Sequence, residues 1–494
     1  MGTKANGAVE AGAGENAAQE LFIGGRTRPA SGDRRFPVHD PATGEVLAHV
    51  ADATGDDVAA AVSAAHAARE SWSHTPAWQR YEVLRDGADA LRRDVSAMAE
   101  LISAETGKPV REALGEAHNT VRFFEWFSHE TLRLPGEAWP EITPTRDAIV
   151  VAEPVGVVAA ITPWNFPAFM VACKVGAALA AGCTVVLKPA EQTPLTALFI
   201  ARALHAAGLP DGVLNVVPTS DPASAGQVFL HDARVDCISF TGSRAIGELL
   251  MREAAASIKR VLLELGGNSP VVVLDDADIA ATASRLVQAR YLNAGQACVA
   301  ANRVYVVESV AEALLAELGM AVRALNVGDP RRDDTNLGPL IDLAAVERIE
   351  TQIDRAVAQG AELTTGGGRL KENAVSAFVR PAVLTAQGGQ EPAVFSEEIF
   401  GPVLAVVTCR DEAEAISLAN DTEYGLAAYV FTGDADRGLR IARALRAGSV
   451  AVNGALTSEP QLPFGGMKAS GLGRERGRAG VEEFLELKTI QLAK

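Results

Sequence analysis

One cysteine of the chain stands where a reactive side chain can be displayed. Cys298 follows the stretch Gly295-Gln296-Ala297, between a predicted helix over residues 278–290 and a predicted strand over residues 302–307. Loops between regular elements commonly carry reactive groups, and a thiolate is a strong nucleophile. An isolated cysteine is also often a small buried hydrophobe, so Cys298 alone leaves both interpretations open.

Two further side chains have the chemistry that a nucleophilic cysteine needs. Glu264 ends an apolar run just before two glycines, and burial there would raise its pKa and make it a usable general base. Asn165 follows Pro163-Trp164 and can donate a hydrogen bond to a developing oxyanion. The alternatives are a strand-end carboxylate held by backbone N–H groups and an asparagine that caps its own turn.

Three segments favour a bound nucleotide. Lys188 and Glu191 follow a predicted strand, and an acidic group at that point favours a free ribose 2′-hydroxyl over a 2′-phosphate. The turn at Gly242-Ser243 opens a predicted helix, whose free N–H groups attract pyrophosphate, although the turn lacks the G-x-G-x-x-G fingerprint. Glu398 can bind a ribose, and Phe400 can pack against a flat ring. Taken one at a time, these segments equally fit solvated surface pairs and plain turns.

The elements that must position these residues alternate along the chain. Predicted strands at 157–161, 184–188, 213–217, 236–240 and 260–264 are separated by predicted helices at 168–181, 194–207, 222–230 and 244–256. Apolar strands alternating with helices indicate a parallel sheet covered on both faces, and such sheets bind nucleotides at the carboxyl ends of their strands. Helices are also predicted before this region, including one that Thr54 caps. A second α/β region is predicted over residues 269–453, and residues 1–19 are predicted to be a disordered tail.

Composition limits the partners and the compartment. The 494 residues suggest two or three domains, and the net charge of −17 argues against nucleic acid and anionic membrane as partners. No apolar run has the length of a membrane span, and no cleavable leader is predicted. The five cysteines are far apart, which predicts neither a disulfide framework nor a metal site. A reducing cytoplasm is therefore expected.

Taken together, the motifs resemble those of the aldehyde dehydrogenase superfamily over nearly the whole chain. The motifs are Pro163-Trp164-Asn165, Lys188-Pro189-Ala190-Glu191, Phe240-Thr241-Gly242-Ser243, Leu263-Glu264-Leu265-Gly266-Gly267, Gly295-Gln296-Ala297-Cys298, Glu398-Ile399-Phe400-Gly401-Pro402 and Pro463-Phe464-Gly465-Gly466. The resemblance implies oxidation of an aldehyde to a carboxylate with NAD, or with NADP, through a thiohemiacetal and a thioester. It implies three catalytic residues: Cys298 as nucleophile, Glu264 as the base that activates water, and Asn165 in the oxyanion hole. The cofactor residues implied are Thr162, Trp164, Lys188, Glu191, Gly242, Ser243, Gly266, Glu398 and Phe400, and no metal is implied.

The fold implied is an α/β fold in three parts. A Rossmann-type cofactor domain is expected over residues 20–139 and 154–263, and an α/β catalytic domain over residues 264–479. A small β oligomerisation unit is expected to combine residues 140–153 with residues 480–494. The resemblance implies a homo-oligomer, and the length of the tail favours a tetramer over a dimer.

The substrate is less clearly indicated. The sequence looks closest to the succinate-semialdehyde dehydrogenase branch, which carries arginine at the positions of Cys173 and Leu292. Neither residue can bind a carboxylate, so an uncharged aliphatic or aromatic aldehyde is expected. The expected pocket residues are Phe169, Met170, Cys173, Leu292, Ala297, Val299 and Ser458. The alternative is succinate semialdehyde or a related semialdehyde, with Arg290 as the first suspect for binding its carboxylate.

Two alternatives of another kind stay open. A CoA-acylating variant would replace water by another acceptor, although the presence of Glu264 favours hydrolysis. A non-catalytic binding protein is disfavoured because Cys298, Glu264 and Asn165 are all present. The branch often has a second cysteine two residues after the nucleophile, and Ala300 at that position predicts no redox switch there.

Overall fold

The computed structural model describes residues 18–370 and 377–494. Its helices are α1 Gly55–Ser73, α2 Ala77–Arg93, α3 Val95–Thr106, α4 Val110–Glu130, α5 Pro167–Val171, α6 Ala177–Ala181, α7 Pro194–Ala206, α8 Pro222–His231, α9 Arg244–Ala254, α10 Ile279–Tyr291, α11 Glu308–Arg323, α12 Leu343–Ala358, α13 Glu412–Asn420, α14 Ala435–Ala444 and α15 Gly477–Glu482. Its strands are β1 Ala18–Gln19, β2 Leu21–Ile23, β3 Arg26–Arg28, β4 Arg35–His39, β5 Val46–Ala51, β6 Gly136–Thr143, β7 Arg146–Pro154, β8 Val157–Ile161, β9 Thr184–Lys188, β10 Leu214–Val216, β11 Cys237–Thr241, β12 Arg260–Glu264, β13 Pro270–Val273, β14 Arg303–Val307, β15 Glu362–Thr365, β16 Ala382–Gln387, β17 Val403–Cys409, β18 Ala427–Phe431, β19 Ser449–Val452, β20 Gly471–Leu472 and β21 Leu485–Ala493.

The first large sheet has the predicted parallel core. Its eight strands run in the order β20-β12-β11-β8-β9-β10-β2-β3, and the five strands from β12 to β10 are parallel. These strands are almost entirely buried, as expected for a sheet with helices on both faces. The strand β20 belongs to this sheet although it lies near the C-terminus, and it pairs antiparallel with β12.

The second large sheet carries its own core. Its seven strands run in the order β15-β16-β17-β14-β13-β18-β19, and all neighbours except β15 and β16 are parallel. The segment that contains Cys298 joins α10 to β14 in this part of the molecule. The predicted α/β fold is therefore confirmed, while the exact domain boundaries stay predictions.

Two small sheets complete the architecture. One has the order β21-β7-β6 and joins the C-terminal strand to the ribbon before β8. The other has the order β1-β5-β4. The prediction of a disordered tail over residues 1–19 is wrong at its end, because Ala18–Gln19 pairs in parallel with β5. The rest of that prediction, residues 1–17, lies outside the described residues.

Local sequence signals explain where several helices begin and end. Thr54 forms a capping box with Asp57, and this starts α1 where the sequence predicts it. Gly107 adopts a left-handed conformation with φ 74° and ends α3. The single helix predicted over residues 168–181 is instead two short helices joined by a π-helical turn at Ala172–Gly176. Such turns are frequent at functional sites.

Candidate active site

The carboxyl ends of four neighbouring strands bring the predicted cofactor residues together. In the register of the first sheet, Ile161 lies beside Lys188 and Thr241 lies beside Glu264. Thr162, Lys188 and Gly242 therefore line one edge of this sheet. The N–H of Thr162 donates to the carbonyl of Lys188 at 3.2 Å, and the N–H of Gly242 donates to the carbonyl of Glu264 at 3.1 Å.

The Lys188 side chain is buried, and its ammonium group has unused hydrogen-bond donors. Its Nζ atom lies 3.4 Å from a carboxylate oxygen of Glu191, which is itself partly exposed. Burial lowers the pKa of Lys188, and Glu191 opposes that shift. Ser243 precedes α9 and makes no capping hydrogen bond with its side chain. The start of α9 is thus open toward an anionic group.

A second set of cofactor residues comes from the other large sheet. Glu398 accepts a hydrogen bond from the N–H of Gly267 at 3.2 Å, and burial raises its pKa to about 7. A Cβ atom on Gly266 would lie 2.3 Å from this carboxylate, so a larger residue there would displace the Glu398 side chain. The rings of Trp164 and Phe400 meet edge to face with centroids 5.6 Å apart. Every predicted cofactor residue thus lies on one of these two facing sets, and the free donors fit a nicotinamide dinucleotide.

The segment with the nucleophile has an unusual backbone. Asn293 and Ala294 adopt left-handed conformations with φ of 52° and 53°, and Gly295 packs so tightly that a Cβ atom would lie 2.3 Å from the carbonyl of Gly401. Backbone strain of this kind clusters at functional sites. Gln296 secures the turn, since its side chain donates to the carbonyl of Asn293 at 3.1 Å and accepts from the N–H of Ile341 at 2.9 Å.

Asn165 lies against this segment. Its Nδ2 atom donates to the carbonyl of Gln296 at 2.9 Å, which uses one of the two amide hydrogens. The backbone carbonyl of Asn165 accepts hydrogen bonds from Lys108 Nζ at 2.7 Å and from Asn293 Nδ2 at 3.0 Å. Among the described residues, the N–H of Cys298 donates to no acceptor. One amide hydrogen of Asn165 and the N–H of Cys298 are therefore free for an oxyanion.

Cys298 is partly exposed, and its pKa is raised to about 12. Desolvation is the main cause, and the neighbouring carboxyl groups of Glu264 and Glu398 add to it. The Glu264 carboxyl is buried and neither oxygen has a hydrogen-bond partner. Burial, followed by the negative charge of Glu475, raises its pKa well above its usual range, as the sequence predicts. Gly267 backs the nucleophile so closely that a Cβ atom would lie 2.8 Å from the carbonyl of Cys298.

A cavity of about 260 Å³ opens beside the nucleophile. Its lining includes Val299, Ser458, Phe464 and Arg476, so two predicted pocket residues lie on it directly. Four others are buried and do not line it: Phe169, Met170, Cys173 and Ala297. Leu292 is 43% exposed.

The suspicion that Arg290 binds a carboxylate is wrong. Arg290 is fully buried, and its guanidinium donates to the carbonyls of Ala301 at 3.3 Å, Ile399 at 2.7 Å and Gly401. These bonds hold the loop that carries Glu398 and Phe400. The sequence reasoning also missed Arg476, because nothing in the glycine-rich stretch around it signals that its side chain is buried beside a cavity.

The described residues contain no helix that is long and apolar enough to cross a membrane. The five cysteines all lie within the described residues and are unpaired.

Comparisons with known proteins agree with this site. A family model described as "Aldehyde dehydrogenase family" matches residues 27–490. The chain is 42% identical over 472 residues to a glutarate-semialdehyde dehydrogenase of Pseudomonas putida, covering 96% of this chain and 97% of that protein. It is 43% identical to a mitochondrial succinate-semialdehyde dehydrogenase of Arabidopsis thaliana, covering 95% of this chain and 88% of that protein.

Solved structures show the same likeness. A crystal structure of an NADP-dependent enzyme from E. coli matches with a TM-score of 0.93 at 40% identity, covering 97% of this chain and 98% of that one. An NAD+ complex of an aldehyde dehydrogenase from Bacillus cereus matches with a TM-score of 0.94 at 37% identity, covering 97% of each chain. The protein therefore belongs to the aldehyde dehydrogenase family of NAD(P)-dependent oxidoreductases.

Proposed function

We propose that this enzyme oxidises an aldehyde to a carboxylate by covalent catalysis at Cys298. The observation that carries the proposal is the convergence of three groups: a partly exposed thiol, a free amide donor on Asn165 and an unpartnered buried carboxyl on Glu264. A nucleophile, an oxyanion donor and a base are the three groups that acyl transfer requires.

The first half of the reaction forms the bond to sulfur. The thiol of Cys298 gives its proton to solvent, and its thiolate attacks the carbonyl carbon, which makes a thiohemiacetal. The negative charge moves to the former carbonyl oxygen, where Asn165 Nδ2 and the N–H of Cys298 stabilise it. When bound, the oxidised nicotinamide supplies the acceptor for the hydride that leaves the aldehyde carbon. The sulfur then holds the acyl group as a thioester.

The second half releases the acid. Glu264, as a carboxylate, takes a proton from water while that water attacks the thioester carbonyl. The carbon–sulfur bond breaks, the carboxylic acid leaves, and the thiolate of Cys298 is regenerated. The raised pKa of Glu264 makes it a stronger base than an exposed glutamate.

The cofactor proposed is NAD, with NADP also accommodated. Lys188 and Glu191 would hold the adenosine ribose, and the acidic group favours a free 2′-hydroxyl. The open turn at Gly242 and Ser243 would hold the pyrophosphate. Glu398, with Phe400 and Trp164, would hold the nicotinamide ribose and ring. The NAD+ complex of the Bacillus relative and the NADP-dependent relative support this range.

Two substrate classes remain as candidates. The missing arginines at Cys173 and Leu292 favour an uncharged aldehyde. The names of the two relatives favour a semialdehyde, which carries one carboxylate at the end opposite the aldehyde, and Arg476 on the cavity wall supplies a cation that this class needs. The structural observation favours the semialdehydes.

The test measures the absorbance of reduced nicotinamide as the enzyme acts on a panel of aldehydes with NAD+. The wild-type enzyme should turn over, and Cys298→Ala should lose essentially all activity, by roughly 10⁴-fold or more. Glu264→Gln should release a rapid burst of reduced nicotinamide equal to the enzyme concentration and then turn over slowly, because the thioester forms but is not hydrolysed. Turnover by Cys298→Ala would refute the mechanism.

Adding CoA separates hydrolysis from the acylating variant. We expect free acid as the product with or without CoA, because Glu264 is present to activate water. An acyl-CoA product would assign the chain to the CoA-acylating variant. Binding of NAD+ without turnover of any aldehyde would favour the non-catalytic alternative.

A further inference from the structure

A buried arginine lines the cavity beside the nucleophile without a carboxylate partner. Arg476 is 7% exposed and borders the cavity together with Val299, which follows Cys298, and with Ser458. Within residues 18–370 and 377–494 its guanidinium forms no ion pair, and its Nε atom is buried with no hydrogen-bond partner. Its polar neighbour is the Cys173 thiol. A buried guanidinium with free donors is a site for an anion.

Aromatic rings hold this guanidinium in place without neutralising it. The Cζ atom of Arg476 lies 4.0 Å from the ring centroid of Phe464, 4.8 Å from that of Phe169 and 5.9 Å from that of Phe123. Cation–π contacts stabilise a buried positive charge through the ring faces. They leave the N–H donors at the edge of the guanidinium unused.

The other charges near the site do not cancel that of Arg476. Lys174 is neutralised by Glu475, with 2.5 Å between Nζ and the carboxylate oxygen. Glu264 is buried, and its raised pKa reduces the negative charge that it carries. The guanidinium is near enough to lower the pKa of the Cys298 thiol, although desolvation outweighs it. An added anion would therefore find an uncompensated positive charge close to the reacting sulfur.

The backbone at this arginine is strained. Arg476 has φ 63° and ψ 172°, a region that only glycine enters freely. A non-glycine residue persists there only where the surrounding structure holds it, and such outliers cluster at functional sites. Glycine at this position would relieve the strain, so the presence of a large charged side chain calls for a functional reason.

We propose that Arg476 binds the distal carboxylate of the substrate, and that the enzyme therefore acts on short aldehydes with a carboxylate at the other end. This inference rests on the proposed function and specifies its substrate class. It reverses the expectation of an uncharged substrate. The positions of Cys173 and Leu292 lack arginine, but the guanidinium of Arg476 reaches the Cys173 thiol from a distant segment of the chain.

The test compares succinate semialdehyde with its methyl ester, which differs in charge but hardly in shape near the aldehyde. Wild type should prefer the acid in kcat/KM. Arg476→Gly should lower kcat/KM for the acid by roughly 10- to 100-fold, as expected for the loss of a charge-assisted hydrogen bond, and change the ester by about 3-fold or less. For the acid, the kcat/KM of Arg476→Lys should lie between the values of wild type and Arg476→Gly, since lysine keeps the charge but not the bidentate geometry.

Two controls separate recognition from folding. Arg476→Gly should still unfold in one cooperative transition and bind NAD+, because glycine tolerates this backbone. Arg478→Ala removes a positive charge from the same segment, where Arg478 pairs with Glu482 on the surface, and should leave the acid-to-ester ratio unchanged. If Arg476 had only a structural role, its substitution would change kcat/KM for the acid and for the ester by the same factor.

Three results would overturn the proposal: a wild-type preference for the ester, an unchanged ratio in Arg476→Gly, or an equal loss for acid and ester. If wild type oxidises neither compound with NAD+ or NADP+, the proposed function fails separately. In that case, calorimetry of succinate binding to wild type and to Arg476→Gly tests the role of Arg476 independently of turnover. Weaker binding to the variant supports the carboxylate site, and equal binding overturns it.

Discussion

At the scale of single residues, the resting site is arranged to keep its reactive groups uncharged. The same desolvation raises the pKa of Cys298 and that of Glu264, and each negative charge would disfavour the other. A partly exposed but desolvated thiol and a buried carboxyl of this kind are poorly reactive until they lose protons. The chemistry of the site should therefore respond steeply to pH.

Alkylation of Cys298 by iodoacetamide measures this response. With a pKa of about 12, the thiolate fraction of the cofactor-free enzyme should rise about tenfold for each pH unit between pH 7 and pH 10. Glu264→Gln should react faster at the alkaline end of this range, where the Glu264 carboxyl of the wild type has lost its proton and its negative charge opposes the thiolate. Cys298→Ala gives the background, since the other four cysteines are buried. A plateau near pH 8 would show that the thiol pKa is not raised.

Arg290 should matter for the cofactor and for stability rather than for the substrate. Arg290→Met leaves the buried carbonyls of Ala301, Ile399 and Gly401 without their donor, at a cost of about 1–3 kcal/mol each. We expect a lower melting temperature and a higher KM for NAD+, because the loop with Glu398 loosens.

The exposed Arg285 on the same helix gives the matched control, and Arg285→Met should resemble wild type. A selective loss of activity on carboxylate-bearing aldehydes in Arg290→Met would restore Arg290 as the residue that binds the carboxylate.

At the scale of elements, the sequence predicted helices better than it predicted contacts. A local signal such as the capping box at Thr54 depends only on neighbouring residues, so α1 begins where expected. The π-helical turn at Ala172–Gly176 carries no such signal, because its five residues are ordinary helix formers and small apolar residues. Arg476 was missed for a related reason: its cavity forms only when the distant segments with Phe123, Phe169 and Phe464 pack around it.

One contact between elements should make stability depend on pH. Glu105 near the end of α3 accepts hydrogen bonds from the N–H groups of Leu195 and Thr196 at the start of α7, at 2.6 and 2.9 Å. Burial nevertheless raises its pKa from 4.5 to about 8. The folded state thus binds this proton more tightly than the unfolded state, and the contribution to stability, full below about pH 4.5, is lost as the pH rises through 8.

Glu105→Gln removes the titrating group and tests this point. Between pH 5 and pH 8 the wild-type protein should lose up to about 1.4 kcal/mol of stability per pH unit relative to the variant, measured by urea unfolding. Glu100→Gln, at an exposed position of the same helix, should follow the wild-type profile. Parallel profiles for wild type and Glu105→Gln would contradict the raised pKa.

At the scale of the whole molecule, the C-terminal sheet leaves apolar surface uncovered. In the sheet β21-β7-β6 both outer strands are edges within the chain, and the exposed apolar residues of these strands are Trp139, Ile142, Ile149, Leu487, Ile490 and Leu492. Exposed edges and apolar faces of this kind favour association. We propose that this sheet forms the contacts of a homo-oligomer, which we expect to be a tetramer in preference to a dimer. The location in a reducing cytoplasm also stays a prediction.

Charge placed on β21 tests the assembly. Leu487→Asp with Leu492→Asp should reduce the mass measured by light scattering after size exclusion, because a buried carboxylate disfavours the contact. The double substitution Glu486→Ala with Gln491→Ala alters the same strand without adding charge and should keep the mass of wild type. A wild-type protein that already runs as a monomer would refute the proposed role of this sheet.

The return of the C-terminus to the first sheet has a consequence for synthesis. Because β20 pairs with β12 and β21 pairs with β7, two strands of these sheets wait for partners that lie far downstream in the chain. Until then β12 is an unpaired edge of an apolar sheet, which is the feature that promotes aggregation of nascent chains. Arg260, whose guanidinium donates to the carbonyls of Glu483 and Leu485, can make those bonds only after that later segment has been synthesised. We therefore expect nascent chains stalled before residue 471 to depend on chaperones far more than chains that include β20 and β21.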